Sequence, residues 1–233
     1  MLLRSIALAI TLASGVHVAD AQALRIHTTG GGVFEYSLSA IDSITFSYSQ
    51  YLYFEDFTNS AEGWHKIAGP GFLGVNNGVF AHTPPGFSVW CEYAYTGRVF
   101  GNARYEADVF VDSLTQSTQY AWRAPDTTQL AGNGGAYVAR FNNSDIAPGG
   151  LGHFVLEKLD PQGRTILLEI PNRFVGLNHL EVIDTGTMLQ VVINGTSYGS
   201  INVGSLTPAQ PGYIFVVGGD RGNGDYFDNV SVR

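Results

Sequence analysis

The chain has 233 residues with a net charge of −8, 14% charged and 12% aromatic residues, 29 glycines and a single cysteine. No basic cluster is present to neutralise a phosphate backbone, which excludes nucleic acid as a partner, and the same acidity disfavours an anionic membrane surface. Cys91 alone cannot close an intrachain disulfide, so stability has to come from a core, helped by a metal if one binds. In chain order, Met1 to Ala23 reads as a secretory signal: Arg4 supplies the charged region, Ile6 to Val18 the apolar run, and Ala21-Gln22-Ala23 the small-residue cleavage site. Ser14, Gly15 and His17 interrupt that run, which falls short of the roughly 20 apolar residues of a membrane span. The expected product begins near Leu24 and is soluble outside the cytoplasm, either periplasmic or extracellular.

From Leu24 to Phe46 two alternating runs, Leu24 to Thr29 and Val33 to Leu38, flank Gly30-Gly31-Gly32, the pattern of a β-hairpin. The piece ends in Ile41-Asp42-Ser43-Ile44-Thr45-Phe46 and resembles a short leader that follows the signal peptide in many secreted bacterial proteins. A lone hairpin is marginal in water, so it is expected to dock on a domain or a partner. Residues 47–50 read as a linker.

After residue 50 the chain consists of short alternating runs with turn signals every 8 to 12 residues and no sustained helical period, which predicts an antiparallel two-sheet β-sandwich. Strands are expected over Ala103 to Asp112, Thr118 to Arg123, Ala136 to Phe141, His153 to Leu159, Arg164 to Ile170, His179 to Ile183, Met188 to Asn194 and Tyr213 to Val217. Gly163, Gly186 and Asn194-Gly195 mark hairpin turns between them. Two outer stretches, Phe54-Glu55-Asp56-Phe57 with Gly63-Trp64 and Tyr226-Phe227-Asp228-Asn229-Val230-Ser231-Val232, suit the first and last strands of one domain. Trp64 is assigned to packing, and Cys91, sharing parity with Val89 and Tyr93, to a buried inert thiol.

Together those outer stretches resemble the concanavalin A-like lectin/glucanase superfamily and related carbohydrate-binding jelly rolls over Tyr51 to Arg233. The resemblance implies an all-β jelly roll with a polysaccharide or glycan as partner. It also implies a structural calcium ion joining the first and last strands, held by Glu55, Asp56 and Asp228, since calcium takes about six to eight oxygen ligands. The superfamily's glucanases carry alternating carboxylates on one strand, and Glu106, Asp108 and Asp112 share a face here. Glu106 and Asp108 could approach the roughly 5 to 5.5 Å of a retaining pair, yet Phe110 and Val111 stand where the closing acid belongs. They are therefore candidates only for the alternative reading of a glycoside hydrolase or polysaccharide lyase.

Other constellations are weaker. Gly195-Thr196-Ser197-Tyr198-Gly199 matches a nucleophile pattern, but Ile201-Asn202-Val203 continues as a strand and no histidine follows His179, so a hairpin turn is expected. Tyr120, Arg123, Tyr137, Arg140 and His153 supply lyase residue types without lyase spacing. Asp220, Asn223 and Asp225 could ligate calcium but read equally as a solvated turn.

A binding module needs aromatics for a sugar's CH face and amides or acids for its hydroxyls. Trp90, which shares parity with Glu92, and Trp122 with Tyr120 and Arg123 are the candidate ligand-binding residues, each tryptophan being either a platform or a core residue. The expectation is a secreted, non-catalytic carbohydrate-binding or surface-interaction module. A structural cell-surface protein that binds other proteins is the third reading.

Overall fold

The computed structural model describes residues 23–27, 33–37, 51–82, 89–113, 117–128, 130, 135–143, 153–160, 163–204, 210–219 and 224–233. Every regular element among them is a strand, and none is a helix long and apolar enough to cross a membrane. The chain divides into two units, 1–49 and 50–233. In the first, β1 (Ala23–His27) pairs antiparallel with β2 (Val33–Ser37), Ile26 standing opposite Phe34. The signal segment, the glycine turn, the Ile41 to Phe46 run and the linker at 47–50 lie outside the described residues.

The second unit is a sandwich of two antiparallel sheets. One sheet runs β12 (Gly163–Ile170), β11 (Phe154–Asp160), β10 (Ala136–Phe141), β9 (Thr118–Ala124), β16 (Gly212–Gly218), β7 (Cys91–Phe100), β4 (Trp64–Ala68). The other runs β15 (Thr196–Asn202), β14 (Met188–Ile193), β13 (Gly176–Asp184), β8 (Ala103–Val111), β17 (Tyr226–Val232), β6 (Val79–His82), β5 (Leu73–Asn76), with β3 (Tyr53–Glu55) also on β17. The pairing of Tyr53 with Val232 and Glu55 with Val230 joins the first and last strands of the unit, as the two outer stretches predict.

Period-two alternation sends one set of side chains between the sheets. Tyr105, Ala107, Val109 and Val111 of β8 meet Tyr120 and Trp122 of β9, Tyr137 of β10 and Phe227 of β17 in one buried cluster with Trp64 and Cys91. Each fully buried aromatic contributes on the order of 1.5 to 3 kcal/mol, so this core holds the sandwich without a disulfide. Strands β10 and β16 are buried on both faces, because Ala94, Ala121, Val138, Phe215, Val217 and Leu130 form a second cluster on the outer side of the seven-stranded sheet. Strand β15 is an edge of mostly exposed Thr, Ser, Gly and Asn, a composition that discourages edge pairing.

The Asn194-Gly195 turn has positive φ at both residues, 53° and 76°, the two-residue geometry that closes β14 onto β15. The Gly195 to Gly199 pattern is therefore a hairpin turn running into an edge strand.

Candidate functional site

Three rows of side chains cross the outer face of the eight-stranded sheet. In β8 the inward set leaves Arg104, Glu106, Asp108 and Phe110 pointing out. Direct cross-strand partners extend each position into a row: Leu177, Phe110 and Tyr226 in one, and His179, Asp108 and Asp228 in the next. A third contains Glu181, Glu106 and Ser231. Rows lie about 6.6 Å apart along the strands, from the rise of roughly 3.3 Å per residue.

The first row is apolar. The Phe110 and Tyr226 rings are stacked, centroids 4.8 Å apart and planes 8° from parallel, and both are half-buried. Leu177 beside them is 58% exposed. The second row is polar and held by a local irregularity. Asn229 adopts a positive φ of 47° where the register of β17 on β8 shifts, a conformation asparagine tolerates, and the bulge turns Asn229 toward β8 beside Asp228. Its Nδ2 donates to Asp108 Oδ2 at 2.8 Å and to Asp228 Oδ2 at 3.3 Å, while its backbone N–H donates to Asp228 Oδ1 at 2.8 Å. His179 Nδ1 lies 2.7 Å from Asp108 Oδ1. Burial, together with the Asp108 and Asp56 carboxylates nearby, pushes the Asp228 carboxyl above its usual range.

The third row is locked. Glu106 accepts from Arg233 Nε (2.9 Å) and Nη2 (2.8 and 2.6 Å) and from Ser231 Oγ (2.8 Å), so it is buried although it points outward. Glu106, His179 and Glu181 bring ligand atoms within 4.8 Å of one another and could hold a metal ion. Arg104, 3.4 Å from Glu181, and Arg233 already balance those carboxylates.

Glu106 and Asp108 do share a face, as the alternation predicts, with Glu181 and Asp228 as their cross-strand acidic neighbours. Glu92 and Glu157 are on the outer side of the other sheet, Glu92 accepting from Leu130 N–H at 3.4 Å and Glu157 standing opposite Val138.

Three of the four predicted ligand-binding residues need correction. Trp122 and Tyr120 are wholly buried between the sheets, because the inward parity of β9 carries both, and present no face to a ligand. Arg123, with φ of 59° at an irregularity in β9, is turned into a buried ion pair with Asp184. Tyr137 is also internal, and His153 Nδ1 meets Asn142 O at 2.8 Å, so the lyase residue types do not converge. Trp90 differs: it precedes β7 rather than lying in it, is 43% exposed, and has exposed Phe72 near it in the chain's fold through the Gly71 N–H to Trp90 O hydrogen bond.

The predicted metal residues Glu55, Asp56 and Asp228 lie at the end of β3 and in β17. Asp56 and Asp228 lie within electrostatic reach of each other, and Asp108 joins them. Glu55 stands opposite Val230, accepts the Phe57 N–H at 3.0 Å, and lies within electrostatic reach of Asp56. Of the second calcium proposal, Asp220 and Asn223 lie outside the described residues. Asp225 is buried and accepts from Thr118 Oγ1.

No family model and no curated protein matches this chain. Solved structures do. Carbohydrate binding module CBM66 from Bacillus subtilis superposes with a TM-score of 0.54 at 13% identity, over 73% of this chain and 95% of that one. A Bacillus subtilis protein of unknown function with a galectin-like fold gives 0.57 at 12%, over 78% and 95%. A beta-1,3-glucanase from Mycobacterium marinum gives 0.56 at 10%, over 80% and 100%. The fold is the concanavalin A-like jelly roll. Within that jelly roll, sequence reasoning missed Phe110, Tyr226, His179 and Asn229. Phe110 has the same parity as Glu106 and Asp108, and that parity was the available signal.

Proposed function

We propose that this protein is an exported, non-catalytic carbohydrate-binding jelly roll that takes polysaccharide on the outer face of its eight-stranded sheet. The observation that carries the reading is the stacked Phe110 and Tyr226 pair lying one row from Asp108, His179 and Asn229. Ring surface and Leu177 receive the CH face of a sugar, and the acid, imidazole and amide bond its hydroxyls. The structural likeness to a carbohydrate binding module and to glucanases supports a glycan as the ligand class. Glu106 directs its oxygens to Arg233 and Ser231 rather than into a cleft, which supports binding over hydrolysis.

A cation at Asp56, Asp108 and Asp228 belongs to the same proposal. The donors are all carboxylate oxygens, which suit calcium, and the upward push on Asp228 comes partly from like charges a cation would offset.

Affinity electrophoresis in gels containing soluble polysaccharides tests the proposal. The native protein should be retarded by at least one, and Phe110→Ala and Tyr226→Ala should each weaken retardation several-fold, as loss of an aromatic anchor costs about 1 kcal/mol or more. Absence of retardation in every gel, or retention in both variants, would overturn it. Release of reducing ends in a parallel assay would move a glycoside hydrolase to first place.

A further inference from the structure

Two buried arginines treat their carboxylate partners differently. Arg123 closes its fork on Asp184, Nε to Oδ2 at 2.5 Å and Nη2 to Oδ1 at 2.9 Å. Arg140 donates only Nη2 to Glu157 Oε2, at 2.5 Å, and its Nε is buried with no hydrogen-bond partner. An unfilled donor on a buried cation is costly, so it marks a place for an acceptor.

The surroundings say which acceptor. Arg164 on edge strand β12 also reaches Glu157 Oε2, Nε at 3.3 Å, so two guanidinium groups face one carboxylate. Burial holds Arg140 below its ordinary range, with repulsion from Arg164 adding to it, and raises the Glu157 carboxyl, which the two arginines counter. Glu169, opposite Val155 on this face, has a partner of its own. Arg140, Arg164 and Glu157 by themselves carry one positive charge in excess, on a protein whose net charge is −8.

Exposed residues flank buried Arg140 at the edge of the seven-stranded sheet. The Arg164 side chain is 36% exposed, and Ile166, directly opposite Glu157, is also exposed. Arg140, Glu157, Arg164 and Ile166 thus offer a guanidinium fork, a balancing acid and an apolar rim.

The geometry points to a second ligand site here, on the opposite sheet from the Phe110 and Tyr226 shelf, which binds the anionic group of an acidic sugar. A carboxylate or sulfate accepts from the open Arg140 Nε and from Arg164, while the sugar ring covers Ile166. This inference rests on the glycan reading only for the ligand being a sugar.

Gels containing polygalacturonate, dextran sulfate or neutral dextran separate the cases. The native protein should be retarded by an acidic polymer despite its own negative charge. Arg164→Gln should weaken that retardation by about tenfold, the scale of one charge-assisted hydrogen bond. Glu157→Gln, which removes the competing acid, should strengthen it. The carboxylate and sulfate gels decide between the two anions. Retardation by acidic polymer that neither Arg164→Gln nor Glu157→Gln alters overturns the inference, as does retardation by dextran alone, which leaves the glycan reading standing. If neither acidic polymer retards the protein, the inference falls, and the glycan reading is judged by the wider panel of neutral polysaccharides.

Discussion

Arg123 and Asp184 face each other fork to fork in the interior, each almost without solvent contact, and through them β9 of one sheet is tied to the end of β13 in the other. Trp122 Nε1 donates to the same Asp184 Oδ2 at 3.1 Å, Asn102 Oδ1 accepts from Arg123 Nη2 at 2.7 Å, and Gly186 N–H donates to Asp184 Oδ1 at 2.7 Å. The pair has its remaining polar atoms satisfied, which is the condition under which a buried ion pair holds its geometry.

Removing one member strands the other. Asp184→Ala should destabilise the protein by about 3 to 5 kcal/mol, because the Arg123 guanidinium is left buried and uncompensated. Denaturant unfolding followed by intrinsic tryptophan fluorescence measures this. A loss under about 1 kcal/mol would mean that Arg123 finds another partner or water.

Trp122→Ala and Trp90→Ala should separate core from surface. Trp122 fills space among Tyr105, Tyr120 and Tyr137, so its loss should cost about 3 to 5 kcal/mol. Trp90 is exposed, and its replacement should change stability by about 0.5 kcal/mol or less. Thermal melts of the two variants give the comparison, and equal losses would contradict the assignment.

These tryptophans also show what could be read beforehand. Alternation located every strand expected after residue 100 to within about three residues at either end, since burial between two sheets imposes a strict period of two. The same period could not say which face of β9 turns inward, because Ala121 and Phe215 make the outer side of that sheet apolar as well. The roles of Asn229 and Arg123 were hidden for a different reason: each acts through a positive φ at a register shift, which pairing with a distant strand creates. Asp108 entered the cation group only when β8 was known to lie beside β17.

His82 should make the protein sensitive to mild acid. It is buried beside Gly218, whose missing Cβ would fall 2.6 Å from His82 Nε2 and 3.1 Å from Cys91 Sγ, and among the described residues no well-formed hydrogen bond reaches either ring nitrogen, the Gly219 backbone being the polar group nearby. Burial lowers its basicity below the ordinary 6.5, although Asp225 and the Gly219 backbone favour the charged form. A depressed histidine binds fewer protons in the folded chain than in the unfolded one, so stability is lost as pH falls below 6.5 toward the folded value. Melting curves from about pH 7 to about pH 5 should show a smaller acid loss for His82→Phe than for native protein. The raised carboxylates act in both proteins and cancel in the difference. Parallel curves would remove His82 as the cause.

The carboxylates at the junction of β3, β8 and β17 predict the response to calcium. Asp228 is raised by burial and by Asp108 and Asp56, so its folded form takes a proton more readily than the unfolded chain. Its contribution to stability therefore falls as pH rises from the ordinary carboxylate range through its folded value, and at neutral pH the ionised group carries the cost of burial and the repulsion of Asp108 and Asp56, eased by Asn229. A cation that binds only the folded protein reverses this by mass action, by about 2.7 kcal/mol at a concentration of 100 times its dissociation constant. Calcium should raise the native melting temperature at neutral pH, chelator should lower it, and the shift should shrink as pH drops and Asp228 protonates. Asp228→Asn should melt higher than native protein in chelator, because one repelling charge is gone, yet gain less from calcium. Zinc should not substitute, since the donors are carboxylate oxygens without a thiolate or imidazole among the three. A melting temperature that ignores calcium at neutral pH, while Asp228→Asn still stabilises, would leave a repelling acidic cluster and no cation site.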